Sequence, residues 1–216
     1  MGLIRNGDFT AYRNAHAGQT VWVIGSGRTL TYVSPRFFDD KPTVCVNYTG
    51  LVHGLRAFYS VSNHHDDAQA IAVAKPGLPV ITTEVEQVPA QDSTGVQATA
   101  WNVVRVPSIS QPYGAFTTQH HWPDDPNLFA IGPTSLHLAL RWAWFLGAAH
   151  IVLVGADCGE LDGQARIDNY PPGHLPFSVW ESTLRDIADR LRRDGISVHS
   201  LNPWVSLALE GHTFRQ

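Results

Sequence analysis

One stretch limits the folds open to this chain more than any other. From Leu136 to Leu146 the sequence is apolar nearly all the way round a helix, and Gly147 follows as a C-terminal stop. His150-Ile151-Val152-Leu153-Val154-Gly155-Ala156-Asp157 then runs apolar until its final acid. A helix that is apolar on every side has to be buried. A continuous apolar strand is buried on both faces, as strands of parallel sheets are. Asp157 must therefore sit at the carboxyl end of its strand. Together these two elements call for a layered α/β fold with a mostly parallel sheet.

The rest of the chain agrees. Val21-Trp22-Val23-Ile24 is another apolar run, closed by Gly25-Ser26-Gly27, and predicts a buried strand turning tightly into a helix near Arg28. Thr43 to Val46 (ending at Asn47), Ala57 to Val61, Pro79 to Thr83, Trp101 to Val106 and Ile196 to Leu201 read as further strands. Asp66 to Ala74 has helical propensity, stopped by Pro76-Gly77. Thr134-Ser135 offers N-caps for the apolar helix. Ser178 and Glu181 form a capping-box pattern ahead of helically spaced Leu184, Ile187, Ala188 and Leu191. Asn202-Pro203 precedes a short helix at 206–209. The expected fold class is a single Rossmann-like, doubly wound domain over residues 1–216. Residues 107–133 break the pattern with five prolines and a His120-His121 pair, and no periodicity. A structureless stretch of that length inside a domain is usually functional, so it reads as a loop covering a site.

Composition removes several classes of function. At 44% hydrophobic and 16% charged the chain is globular, not disordered. A net charge of −4 gives no global basic field to draw it to nucleic acid. Two cysteines, Cys45 and Cys158, make neither a disulfide scaffold nor a cysteine-rich zinc site, which points to a reducing compartment. Residues 1–9 lack the apolar core of a signal peptide. The longest apolar stretch, 138–149, contains Arg141 and falls short of the ~20 residues of a membrane span. The expectation is a cytoplasmic protein with no membrane span.

In an open parallel sheet, ligands bind outside the carboxyl ends of the strands, at a topological switch point. Gly25-Ser26-Gly27, Asn47, Ser60 to Asn63, Asp157 and Asn202 should therefore converge on one edge. The glycine turn lets backbone approach an anion. It lacks the third glycine of the dinucleotide pattern, because Leu30 stands there, and strand two ends in Asn47 rather than the acid that holds a ribose diol. That argues against NAD; a tight turn with no ligand is the simple alternative. Thr134 and Ser135 cap their helix and are also placed to meet a phosphate. Asp157 reads as a carboxylate facing the site, able in principle to hold magnesium; a helix cap or turn residue is the alternative. The paired histidines His64-His65 and His120-His121 lack the spacing of a helical zinc site and read as polar loop residues. His174 follows Pro171-Pro172-Gly173 over the carboxyl edge, where an imidazole suits a general base; an exposed loop histidine is the alternative. No G-x-S-x-G elbow or Walker motif occurs.

The turn Val23-Ile24-Gly25-Ser26-Gly27-Arg28-Thr29-Leu30 resembles the G-x-G-P-S-L turn of two related groups. These are the bacterial CMP-sialic acid-dependent sialyltransferases and the 6-hydroxymethylpterin diphosphokinase-like proteins. The strand ending in Asn47 is similar to their second strand. The stretch from Thr134-Ser135 through Leu146-Gly147 to Val154-Gly155-Ala156-Asp157 resembles their T-S-G…A-x-x-L-G…I-x-L-x-G-x-D block, and Asn202-Pro203-Trp204-Val205-Ser206 their closing P-x-S turn. The resemblance implies that Gly25, Ser26, Gly27, Asn47 and Ser135 hold a nucleotide-activated donor, and that His174 is the general base. The chain departs from the pattern in several places. Arg28-Thr29 replaces Pro-Ser, bringing a charge near a donor phosphate. Leu136 replaces the glycine after Ser135. Only Asp66 or Asp67, displaced, could supply the kinases' magnesium acids. Tyr170 is the nearest counterpart of the donor-steadying tyrosines.

The reading that follows is a transferase, a glycosyltransferase using a CMP- or other nucleotide-linked sugar. Its catalytic residue would be His174, and Gly25, Ser26, Gly27, Arg28, Asn47, Thr134, Ser135 and Asp157 would bind the nucleotide. It needs no cofactor. The alternatives are a diphosphokinase that would require Mg2+ and a nucleotide-binding module without catalysis. The acceptor (glycan, small molecule or modified nucleic-acid base) stays open, as does homo-oligomerisation.

Overall fold

Parallel strands need cover on both faces, and the order of elements shows how the chain provides it. The computed structural model describes residues 8–84, 99–109, 122–130, 134–157, 159–168 and 177–210. In chain order its elements are β1 (Thr20–Ile24), β2 (Thr43–Val46), β3 (Tyr59–Val61), α1 (His65–Ala74), β4 (Val80–Thr83), β5 (Val103–Val106), β6 (Ser108–Ile109), β7 (Phe129–Ala130), α2 (Ser135–Phe145), β8 (His150–Val154), α3 (Phe177–Arg193), β9 (Ser197–Ser200) and α4 (Pro203–Leu209). Seven strands form one sheet in the order β5-β4-β3-β2-β1-β8-β9, every neighbouring pair parallel. This is the expected α/β, Rossmann-like arrangement. The strand order reverses at β1, so the switch point lies between β1 and β8.

Alternation along each strand divides the core. Val21, Val23, Val44, Val61, Ile151 and Leu153 share one cluster with residues of α2, α3 and α4. Val80 and Val103 pack with α1 on the opposite face. Ile24, Cys45 and Val154 form a third cluster there with Leu30 and Phe38. Burial pushes the Cys45 thiol up to about 12, so it stays protonated and inert at neutral pH. Among the described residues no helix is long and apolar enough to cross a membrane.

α2 is buried along its length except for half-buried Trp144. The Thr134 hydroxyl caps its start, accepting from Leu136 N–H at 3.2 Å. Its last carbonyls are taken up by a neighbouring segment. Asn14, His16 and Gly18 donate their N–H groups to the carbonyls of Phe145, Leu146 and Gly147 at 3.0, 2.8 and 3.0 Å. A buried helix end cannot rely on water for those acceptors, and Gly147 ends the helix at φ +80°.

Arg141 is the feature of α2 that sequence reasoning missed. It interrupts an apolar run, yet it is only 2% exposed. Its Nη2 donates to the carbonyls of Pro123, Asp125 and Leu128 at 3.2, 2.8 and 3.1 Å. Its guanidinium lies 4.7 Å from the Trp122 ring and 4.1 Å from that of Trp144. Burial lowers its pKa to about 10, which leaves it charged at neutral pH. Among the described residues no carboxylate stands at hydrogen-bond range of this buried cation; carbonyl dipoles and aromatic faces replace its hydration.

Several expectations change at this level. The helix expected near Arg28 is realised as two 3-10 turns, Arg28–Tyr32 and Pro35–Phe38. The β-branched Thr29, Thr31 and Val33 and the restriction that Pro35 places on Ser34 disfavour an α-helix there. Residues 107–133 are not structureless throughout. β6 pairs with β7, Phe129 N–H donates to Pro107 O at 2.8 Å, and Trp122 and Phe129 are buried in the core. Residues 110–121 and 131–133, with His120 and His121, lie outside the described residues. α3 begins at Phe177, one residue ahead of the expected cap at Ser178. His65 is a buried helix residue, not a loop residue, and its Nε2 bonds to Thr83 O at 2.8 Å.

Replacing Arg141 by Ala leaves three part-buried carbonyls without their donor. The expected cost is about 3 kcal/mol of folding stability, read as a lower denaturation midpoint at unchanged m-value. A midpoint within error of wild type would contradict the bracing role.

Candidate functional site

A wholly parallel sheet puts every carboxyl strand end on one edge. Along that edge stand Ser62 and Asn63 after β3, Asn47 after β2, Gly25-Ser26-Gly27 after β1, Gly155-Ala156-Asp157 after β8 and Asn202 after β9.

At the switch point the two middle strands stay in contact past their ends. Gly25 N–H donates to Val154 O at 2.7 Å and Gly27 N–H to Gly155 O at 2.6 Å. A Cβ on Gly25 would overlap the Gly155 carbonyl oxygen, and one on Gly155, held at φ +65°, would overlap that of Gly25. A Cβ on Gly27 would fall 2.6 Å from Asp157 Oδ2. These glycines are therefore demanded by the approach of one strand end to the other, whatever ligand they meet.

Asp157 was expected to face a ligand. It is 4% exposed, and both of its oxygens are engaged by Thr29: Oδ2 accepts the backbone N–H at 2.7 Å and Oδ1 the hydroxyl. The carboxylate thus holds the first turn of the 3-10 segment, where orphan N–H groups favour an anion. Asn202 extends the network. Its Nδ2 donates to Thr29 Oγ1 at 3.4 Å, and its Oδ1 accepts from Trp204 and Val205 N–H at 3.0 and 3.3 Å, capping α4. Sequence reasoning placed Asp157 and Asn202 on this edge but missed Thr29, which stands 128 residues from Asp157 with no spacing signal.

Around the turn, Ser26 O accepts Ile167 N–H at 2.8 Å, so the chain after β8 crosses over the turn. Arg28 Nη1 meets Asp168 Oδ1 at 3.3 Å. Tyr32 OH donates to the Asp162 carboxylate.

Asn47 ends β2 in the left-handed region at φ +51°, a conformation that asparagine tolerates better than most residues. Its carbonyl accepts the Ser60 hydroxyl at 3.1 Å, and its Oδ1 is buried without a hydrogen-bond partner among the described residues. At the opening of α2, Ser135 Oγ accepts Asn63 N–H at 3.1 Å, and Thr134 Oγ1 bonds His137 Nδ1 at 2.9 Å. The helix start is thereby tied to the end of β3.

The edge thus holds two hydrogen-bonded groups, one joining the glycine turn, Asp157 and Asn202, the other joining Asn63 and Ser135. Asn47 stands on the strand end between them. His174, Tyr170 and Cys158 lie outside the described residues. Of the acids considered for magnesium, Asp67 accepts Tyr48 OH at 2.8 Å. Among the described residues no three His, Cys, Asp or Glu side chains gather to hold a metal ion.

No protein-family model matches the chain, and no curated protein sequence does. Among solved structures, the chain is similar to the MAf glycosyltransferase from Magnetospirillum magneticum AMB-1, with a TM-score of 0.53 at 15% identity. The likeness covers 92% of this chain and 35% of that protein, so the chain spans about a third of its length. Agreement at this level of identity is agreement of fold alone.

The Asp157–Thr29 clamp predicts a stability effect that a purely ligand-facing carboxylate would not have. Asp157→Ala should lose about 2 kcal/mol without any ligand present. Combining it with Thr29→Ala should cost less than the two single losses added together, because the variants share one interaction. Full additivity in a denaturation double-mutant cycle would contradict the clamp.

Proposed function

We propose that this chain transfers a glycosyl group from a nucleotide-activated donor held at the carboxyl edge of β1 and β2. The observation that carries the reading is the turn after β1 at the switch point, beside Asn47 with its buried, unpartnered Oδ1. The glycosyltransferase-like fold adds to it. An orphaned buried acceptor at a strand end calls for a donor group, and the N–H or hydroxyl of a nucleoside supplies one.

The turn distributes roles in a definite way. Gly27 N–H and Thr29 N–H are used within the fold, so charge on a leaving phosphate falls to the Arg28 guanidinium and the Ser26 hydroxyl. Gly25 and Gly27 keep the chain low beneath them. Thr134 and Ser135 add the positive end of α2. Asp157 holds Thr29 and through it the turn, a supporting part rather than a ligand contact. In the reaction His174 accepts the proton of an acceptor hydroxyl as its oxygen attacks the anomeric carbon. The bond from that carbon to the donor phosphate breaks, and the nucleotide leaves with the electron pair, stabilised electrostatically.

Thermal melting with CMP, CDP, UDP, GDP, ATP and NAD, each with magnesium and with chelator, tests the donor. A CMP-type nucleotide should stabilise the protein with or without metal, by about 2.7 kcal/mol at a hundredfold excess over Kd. Stabilisation by ATP that needs magnesium would overturn the reading in favour of diphosphoryl transfer. His174→Ala should abolish transfer and leave nucleotide binding intact; retained turnover would remove His174 from the mechanism.

A further inference from the structure

The glycine turn presents one charged side chain, and its surroundings are unusual. The backbone on both sides of Arg28 is pinned, Gly27 N–H on Gly155 O at 2.6 Å and Thr29 N–H on Asp157 at 2.7 Å. The side chain between them is 21% exposed. Its Nε is buried with no hydrogen-bond partner among the described residues, and its Nη1 reaches Asp168 at 3.3 Å. A guanidinium carries five donors in a planar fork that suits two oxygens of one anion. One carboxylate oxygen at 3.3 Å and the nearby Tyr32 phenol oxygen leave part of that fork unused.

Asp168 is 72% exposed, and ion pairs so open to water are weak. It belongs to a stretch that crosses the turn. The neighbouring Ile167 N–H donates to Ser26 O at 2.8 Å, and the Ile167 side chain packs on the cluster of Ile24, Leu30 and Val154. Tyr32 OH donates to Asp162 earlier in the same stretch. Residues 161–168 are thus laid across the place where the proposed donor phosphate would meet Arg28.

We propose that Asp168 is a resident stand-in for that phosphate. An incoming phosphate takes the Arg28 fork with two oxygens and displaces the Asp168 carboxylate, since two anions cannot share the guanidinium without repulsion. Loss of Asp168 from Arg28 removes one of the ties on the crossing stretch, so the Ile167–Ser26 hydrogen bond opens more often. The inference rests on reading this edge as a phosphate site. It goes further by assigning Asp168 as the group that limits affinity there and couples occupancy to the stretch over the turn. A weak, exposed pair is suited to this, because it gives way to a doubly charged ligand.

Calorimetric titration with CMP, and separately with inorganic pyrophosphate, tests it on wild type, Asp168→Asn, Arg28→Gln and the double variant. Asp168→Asn should bind both about threefold more tightly, the scale of an exposed ion pair. Arg28→Gln should weaken both about tenfold, and the gain from Asp168→Asn should vanish in the double variant. Ile167 amide exchange should quicken when the ligand saturates. Unchanged or weaker binding by Asp168→Asn, or a gain that persists without Arg28, overturns the proposal while leaving nucleotide binding in place. Unchanged Ile167 exchange overturns the coupling to the crossing stretch. If CMP binds no variant while pyrophosphate binds Asp168→Asn more tightly, the donor reading fails and the displaceable-anion site stands. If neither binds any form, both fail.

Discussion

Where β1 and β8 end, their backbones come close enough that no side chain fits between them. Gly25 and Gly155 face each other there, each leaving no room for a Cβ on the other. The hydrogen bonds from Gly25 to Val154 and from Gly27 to Gly155 carry the pairing past the last strand residues. Strands at a switch point ordinarily part to open a crevice. Here that crevice is narrowed by backbone, and the contact sets the path of the chain on both sides. It aims the turn after β1 over the end of β8 and brings Thr29 onto Asp157. The 3-10 segment, the tie to Asn202 and the stretch crossing at Ile167 all depend on that placement.

This changes what the glycine turn can contribute to chemistry. A glycine-rich turn after the first strand suggests backbone N–H groups cradling a phosphate. In this fold the amides of Gly27 and Thr29 are already bonded to Gly155 and Asp157. Under the proposed function, electrostatic work at the turn falls to a side chain, Arg28. The acid at the end of the most buried strand acts on the protein itself, holding rigid the segment that carries the arginine. Rigid support of this kind lowers the cost of ordering a site when a ligand arrives.

Elements whose burial is written into consecutive residues were legible in the sequence. α2 and β8 are apolar runs with a glycine between them, and both stand where their composition demands. β1, β2, β3 and β4 follow for the same reason, each ending within a residue or two of its polar stop. The strand-end polar residues could be placed on one edge because parallel order leaves no other choice. Their partners could not be read. Asp157 finds Thr29 across 128 residues and Arg28 finds Asp168 across 140, distances at which no periodicity survives. Arg141 looked like an interruption of an apolar helix, and only the carbonyls of residues 123–128 reveal what it holds. Ser135 and Thr134 were readable as caps but not as the tie to Asn63 and the partner of His137.

The central claim is that a nucleotide lies across the ends of β1 and β2, against the opening of α2. Backbone amide shifts followed by NMR while CMP is titrated in would examine it directly. The account predicts saturable movements concentrated at Ser26, Arg28, Asn47 and Ser135, with the amino ends of the same strands unmoved. Movements elsewhere that leave these four still, or none at any concentration, would contradict it.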